Sequence, residues 1–298
     1  MQEPEIPGHF MLFSSADEFV KAPRRAVTVF GMAGVGKTRL SAMLRASKWF
    51  HYSADYRIGT RYMGEYIVDN FKREAMKVPF LAELLRSDSI YISSNITFDN
   101  LDPLSSYLGT PGTPDKGGLT LGEYQRRQEQ HRVAEIAALR DVPHFIERAK
   151  ALYGYNDFIA DTGGSLIEVI DPADAEDPVV RTLTDATALL YIRGTGKDAS
   201  ELVRRFKHSP KPLYYRPEFL LEKWAEYKLI QGIVADDDVD PKGFGLWSFE
   251  ALLQDRLPRY QALADNFGYV VEASDLATVR DGDEFIDLMA AAIEQRMR

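Results

Sequence analysis

Apolar positions along this chain fall into two kinds of run. Short β-branched or aromatic stretches alternate with longer stretches of helical composition, and turn residues separate them. Residues 26–30 (Ala-Val-Thr-Val-Phe) predict a strand, a Gly-rich turn follows, and residues 38–47 predict a helix. Residues 49–52 predict a second strand ending near Asp55, and 60–76 a helix. From 78 to 118 the pattern is irregular, with turn signals at Asp102-Pro103 and Thr110-Pro-Gly-Thr-Pro114. Thr120 and Glu123 have capping-box spacing and open a long helix that Pro143 is expected to end or kink. Residues 156–161 and 187–193 predict two further strands, with Thr162-Gly-Gly-Ser165 after the first of them. Helices are expected over 200–207, 217–232 and 248–266, interrupted by the acidic loop 236–240. A last strand, 269–272, precedes a C-terminal helix from about Asp283.

Strands that alternate with helices imply an α/β fold: a parallel sheet of about five strands with helices on both faces, joined by right-handed crossovers. Residues 60–155 are too long for one crossover, so a helical subdomain inserted there to hold a substrate is expected, with 197–247 as a lid region. The whole of 1–298 otherwise reads as one domain.

Composition narrows the function. The 298 residues include 36 Lys plus Arg and 45 Asp plus Glu, a formal charge of −9, which disfavours generic nucleic-acid binding. With no cysteine, disulfides, Cys-ligated zinc, iron–sulfur clusters and thiol catalysis are excluded. The opening Met1-Gln-Glu-Pro-Glu-Ile-Pro7 lacks the basic and apolar regions of a signal peptide, and no apolar run approaches the ~18 residues of a membrane span. The expectation is a cytoplasmic protein with no membrane or nucleic-acid partner.

The sharpest motif is Gly31-Met32-Ala33-Gly34-Val35-Gly36-Lys37-Thr38, which fits the phosphate-loop pattern G-x-x-x-x-G-K-[ST] between a predicted strand and a predicted helix. Glycines let successive N–H groups turn inward on phosphate oxygens, and the start of the helix adds its positive end. Lys37 can reach the β- and γ-phosphates, Thr38 can ligate Mg²⁺, and Arg39 borders the loop. A second Mg²⁺-side group is expected at the end of a neighbouring strand, where Asp161 stands. Asp161-Thr-Gly-Gly164 also fits the D-x-x-G of GTPases. Their guanine-reading N-K-x-D is absent, with Thr195-Gly-Lys-Asp198 the nearest approach.

In order along the chain, these pieces resemble the shikimate kinase family of small-molecule phosphate-loop kinases. After the loop, Phe50-His-Tyr-Ser-Ala-Asp55-Tyr-Arg-Ile58 is similar to the segment whose aspartate binds the acceptor hydroxyl. The resemblance assigns that role to Asp55, whereas the family's earlier metal-associated aspartate is replaced by Ser53. Ile159-Ala-Asp-Thr-Gly163-Gly164 looks like the Gly-rich substrate loop. Leu202-Val-Arg204-Arg205, with Lys211-Pro-Leu213, looks like the lid with its arginine, Lys211 replacing a second one. Arg256-Leu-Pro-Arg-Tyr260 with Ala264-Asp265 is similar to a late helix whose arginine the resemblance sets against the adenine. The match covers about half the chain, and the intervening segments are much longer than in that family.

The resemblance implies ATP and Mg²⁺ as cofactors and phosphoryl transfer to a hydroxyl of a small molecule. Asp55 would activate the acceptor. Lys37, Mg²⁺ and Arg204 or Arg205 would neutralise the transferring group. Arg57 and Arg61 flank Asp55 as candidate anion contacts, with Lys72 and Arg73 a looser pair. The alternative is a nucleotide-hydrolysing regulatory ATPase with the inserted region as partner surface. Histidines 9, 51, 131, 144 and 208 have no metal-ligand spacing, and 236–240 lacks the pattern of a calcium loop.

Overall fold

The computed structural model describes residues 12–298, so the acidic opening segment lies outside the described residues. The chain divides into two compact units. One comprises residues up to Ala54, Leu139–Arg204 and Leu252–Arg298; the other comprises Asp55–Ala138 and Arg205–Ala251. The single continuous insertion expected over 60–155 is thus replaced by two segments, and residues 139–155 fall in the first unit. Among the described residues no helix is long and apolar enough to cross a membrane.

The first unit is built on five parallel strands: β1 (Arg25–Phe30), β2 (Trp49–Ser53), β3 (Asp157–Asp161), β4 (Ala188–Arg193) and β5 (Gly268–Glu272). Their order is β2-β3-β1-β4-β5. β1 is central, with Val29 level with Asp161 on one side and Leu190 on the other. The strands are near-continuous apolar runs because both faces of a parallel sheet are covered. The connection β1→β2 runs one way along the sheet and β3→β4 the other, so right-handed crossovers put their helices on opposite faces.

Side-chain alternation along β2 shows a helix on each face of the sheet. Trp49 meets Phe285 of the C-terminal helix Gly282–Met297 edge-on at 5.4 Å. The next residue, Phe50, points to the opposite face and stacks on Phe158 at 5.6 Å and Tyr153 at 6.1 Å. Tyr52 packs on Phe145 at 5.0 Å. Phe145 and Tyr153 belong to the helix Val142–Tyr153, which is why 139–155 join the sheet rather than an insertion. Pro143 sits in the first turn of that helix, so it starts a helix where it was expected to end or kink one.

The helix Pro178–Ala186, which the apolar pattern did not suggest, is started by Asp177. Its carboxylate accepts from Val179 N and Val180 N, and Pro178 occupies the first turn. The helix expected over 248–266 runs Pro241–Phe267 and carries Pro258 in its interior.

The second unit is helical. The stretch read as irregular contains helices Pro79–Arg86 and Asp102–Leu108, each with a proline in its first turn. One core gathers Ile58, Met63, Ile67, Ile96, Leu104 and Tyr107. In the helix Leu121–Arg140, Arg127 bonds the carbonyl of Tyr107 and the Asn70 side chain, and Gln128 accepts from Tyr215 N at 2.9 Å. Glu123 accepts from Arg126 and Arg127 of the same helix.

Two outcomes follow. Trp49 is only 2% exposed. Replacing it with alanine removes the contact with Phe285 and leaves a cavity worth ~3–5 kcal/mol in unfolding free energy, read as a lowered urea midpoint. The hydrogen bond from Arg126, reinforced by that from Arg127, holds the Glu123 carboxyl down to about 2. A depressed carboxylate stabilises the fold above its ordinary pKa of about 4.3. That contribution is lost as the pH falls through that value toward 2. Glu123→Gln therefore unfolds more easily than the unaltered protein near neutrality. The gap in melting temperature between the two closes over that acid range.

Candidate functional site

The site is organised by the loop between β1 and the helix Lys37–Ala46. Gly31, Gly34 and Gly36 have φ of 138°, 86° and 101°, conformations open to glycine. Gly31 is also held by space: a Cβ there would stand 2.6 Å from the carbonyl oxygen of Ile192 in β4. Gly194, just past β4, approaches from the same side, and its Cβ would stand 2.2 Å from the terminal methyl of Met32. The sequence reading missed Gly194, because a lone glycine after a strand carries no motif.

Gly36 caps the helix with no side-chain hydrogen bond, an arrangement in which the first-turn amides can receive an anion. Lys37 is buried, and its Nζ donates to the carbonyls of Gly31 at 2.8 Å and Met32 at 2.9 Å. The ammonium is thereby folded over the loop. Met32 and Val35 are buried, whereas Ala33, Gly34, Thr38 and Arg39 are exposed.

Asp161 ends β3 beside β1, level with Val29 and Ser53, and is buried. His51 of β2 brings Nε2 to 4.0 Å from its Oδ2, a neighbour the sequence reading set aside. Thr162 N and Oγ1 both donate to the carbonyl of Val29, at 3.3 and 2.9 Å, which ties the turn after β3 to β1. Among the described residues no group of three or more His, Asp or Glu side chains gathers as a metal cage. Thr38 and Asp161 are the oxygen-bearing residues that would hold Mg²⁺ arriving with phosphate oxygens and its own waters.

After Asp161 and Thr162 the chain passes through Gly163 and Gly164. A Cβ on Gly164 would lie 3.7 Å from Ala33 N in the phosphate loop and 3.8 Å from Arg256 Nη1. The Tyr260 hydroxyl donates to the carbonyl of Gly164. Arg256 Nε donates to Glu168 Oε1 at 2.6 Å, and Arg259 Nη1 lies 3.8 Å from Glu168 Oε2. The Glu168 side chain is wholly buried. Nothing in the sequence marked it, since its partners lie 88 and 91 residues away.

A cavity of about 470 Å³ opens beside the loop, lined by Gly34, Gly36, Arg39, the segment after β4 (Thr195, Lys197) and the segment after β5. Arg39 donates both Nη groups to the carbonyl of Ala277 at 3.2 Å. Thr195-Gly-Lys-Asp198 serves as a capping box. Asp198 accepts from Thr195 N and Oγ1 at 2.7 Å and donates its own N–H to Thr195 Oγ1 at 3.3 Å. Those bonds, the backbone one foremost, hold the Asp198 carboxyl below the usual range. Arg256 does not line this cavity.

The first unit therefore brings together residues 31–39, Asp161, Gly163, Gly164 and Arg256. Arg204 is its last residue in that segment, exposed and paired with Glu201 at 2.7 Å. Arg205, Asp55, Arg57 and Arg61 belong to the other unit. There Asp55 follows β2 by two residues, Arg57 lies over the Tyr62 ring at 5.5 Å, and Arg61 is exposed. Of the other basic residues in the expected lid, Lys207 pairs with Glu250 at 2.7 Å and Lys211 lies 3.8 Å from Asp102.

No protein-family model matches the chain, and no curated protein matches it either. Among solved structures the chain is similar to a shikimate kinase from Bacteroides thetaiotaomicron, at 15% identity and a TM-score of 0.35 over 91% of this chain and 95% of that one. At that score and identity the reading of the site rests on the geometry of the chain's own residues.

Proposed function

We propose that the protein binds ATP with Mg²⁺ and transfers the terminal phosphoryl group to a hydroxyl of a small molecule. The observation that carries this is the phosphate cradle: three left-handed glycines, an uncapped helix start and a buried Lys37 folded over the loop carbonyls. When phosphate enters, Lys37 exchanges two carbonyl partners for phosphate oxygens, a stronger charge-assisted pairing. Thr38 and Asp161 supply oxygens for Mg²⁺. The nucleoside occupies the 470 Å³ cavity alongside the loop. ATP is favoured over GTP because the chain lacks N-K-x-D and uses its nearest approach as a helix cap.

Phosphoryl transfer asks the protein for positioning and charge neutralisation more than for covalent chemistry. The acceptor oxygen bonds to the terminal phosphorus, the bond from that phosphorus to the ADP oxygen breaks, and the hydroxyl proton leaves to a base. Asp55 is assigned as that base on its sequence context, with Arg57 and Arg61 as contacts for an anionic acceptor.

The test is mass spectrometry of a metabolite extract incubated with Mg-ATP and either the protein or its Lys37→Ala variant. A phosphorylated metabolite that forms only with the intact protein is the expected result and names the acceptor. ATP loss without any such product replaces the kinase reading with a nucleotide-hydrolysing regulatory protein. Binding has its own readout. Mg-ATP at a hundred times its dissociation constant adds ~2.7 kcal/mol to stability, so the melting temperature of the intact protein rises with nucleotide and that of Lys37→Ala does not.

A further inference from the structure

Arg256 does not line the cavity beside the loop, although the resemblance sets it against the adenine. The cavity suited to a nucleobase touches the phosphate loop at Gly34, Val35 and Gly36. Neither Ala33 nor Gly164 lines it. A nucleotide whose base fills that cavity runs its phosphates along the loop, so its last phosphate lies toward Ala33, where Gly164 closes in. The space a Gly164 side chain would take is 3.7 Å from Ala33 N and 3.8 Å from Arg256 Nη1. A loop amide and a guanidinium therefore border the same side of Gly164, close enough together for one phosphate group to meet both.

Arg256 is also held in a defined pose. Its Nε, at the root of the guanidinium fork, is engaged by the buried Glu168 at 2.6 Å, so the Nη groups form the outer end of the fork. Tyr260, one helical turn further on, bonds the carbonyl of Gly164 and fixes the turn to the same helix. Position, fork and turn are thus tied to one rigid element.

We propose that Arg256 contacts the terminal phosphate of the bound nucleotide, so that it distinguishes triphosphate from diphosphate and neutralises the group in transfer. The assignment rests on the nucleotide reading above. It replaces an adenine contact with a contact at the opposite end of the nucleotide.

The experiment measures equilibrium binding of Mg-ADP and of Mg-bound β,γ-imido-ATP. It uses the intact protein, Arg256→Lys, and a double variant with Arg256→Gln and Glu168→Gln. The double variant removes both members of the 2.6 Å pair, because Glu168 without Arg256 would keep only the longer contact to Arg259, which in turn retains Asp255 at 3.7 Å. The lysine variant keeps the charge and loses the fork, so it decides the question if the double variant fails to fold. Expected is a selective loss of about tenfold or more for the triphosphate analogue, the scale of one charge-assisted hydrogen bond. Mg-ADP affinity is expected to stay within about twofold in both variants, well under the tenfold that 1.4 kcal/mol represents. Equal loss of both nucleotides would overturn the proposal and return Arg256 to a base-side or scaffolding role. Unchanged affinity for both would overturn it in favour of the acceptor or the scaffold. If the intact protein binds neither nucleotide, the nucleotide reading itself fails and this one with it.

Discussion

Parallel pairing of β1 between β3 and β4 is the constraint on which the site depends. It brings the carboxyl end of the central strand level with Asp161 on one side and with Leu190 and Tyr191 of β4 on the other. Three loops therefore leave the sheet at one edge. The Ile192 carbonyl and Gly194 press on the phosphate loop from β4, and Thr162 is tied to Val29 from β3. A loop confined in this way pays its conformational entropy during folding rather than when phosphate arrives. A Cβ at Gly31 would collide with the backbone of β4, which cannot move without disturbing its own pairing.

The same arrangement explains how Lys37 tolerates burial. An ammonium removed from water is costly unless hydrogen-bonded, and two loop carbonyls meet that need. These neutral acceptors are weaker than phosphate oxygens. The lysine thus has a resting place on the loop, and on the proposed function an entering phosphate offers it a better one. Arg39 is handled alike on the exposed side, tied to the carbonyl of Ala277 and so to the segment after β5.

Legibility followed physical locality. All five strands were visible in the sequence because each is a short β-branched or aromatic run between turns, and the phosphate loop was visible because its chemistry fits within eight residues. Helix Pro178–Ala186 escaped because its start signal, Asp177-Pro178, read as part of an acidic, proline-bearing stretch. Pro143 was misjudged because proline tolerates the first turn of one helix as readily as it ends another. The contacts of Arg256 were beyond reach. A late arginine in a helix carries no local mark of Glu168, 88 residues earlier, or of a glycine beside the loop. Division into two units was equally non-local, since Asp55–Ala138 joins Arg205–Ala251 across two strands and two whole helices.

On the proposed function a chain of net charge −9 holds a polyanion, and the answer lies in length scale. At physiological ionic strength the field of an exposed charge fades over about 8 Å, so carboxylates elsewhere on the surface scarcely reach the loop. What acts there is local: amides at a helix start, Lys37 held a few ångströms away, and Arg256 beside Gly164. Buried Asp161 stands at the same edge beside His51, where the proposal sets the metal that accompanies the phosphates. On the proposed reading a nucleotide is therefore met by local groups, without any basic surface that the sequence composition would have shown.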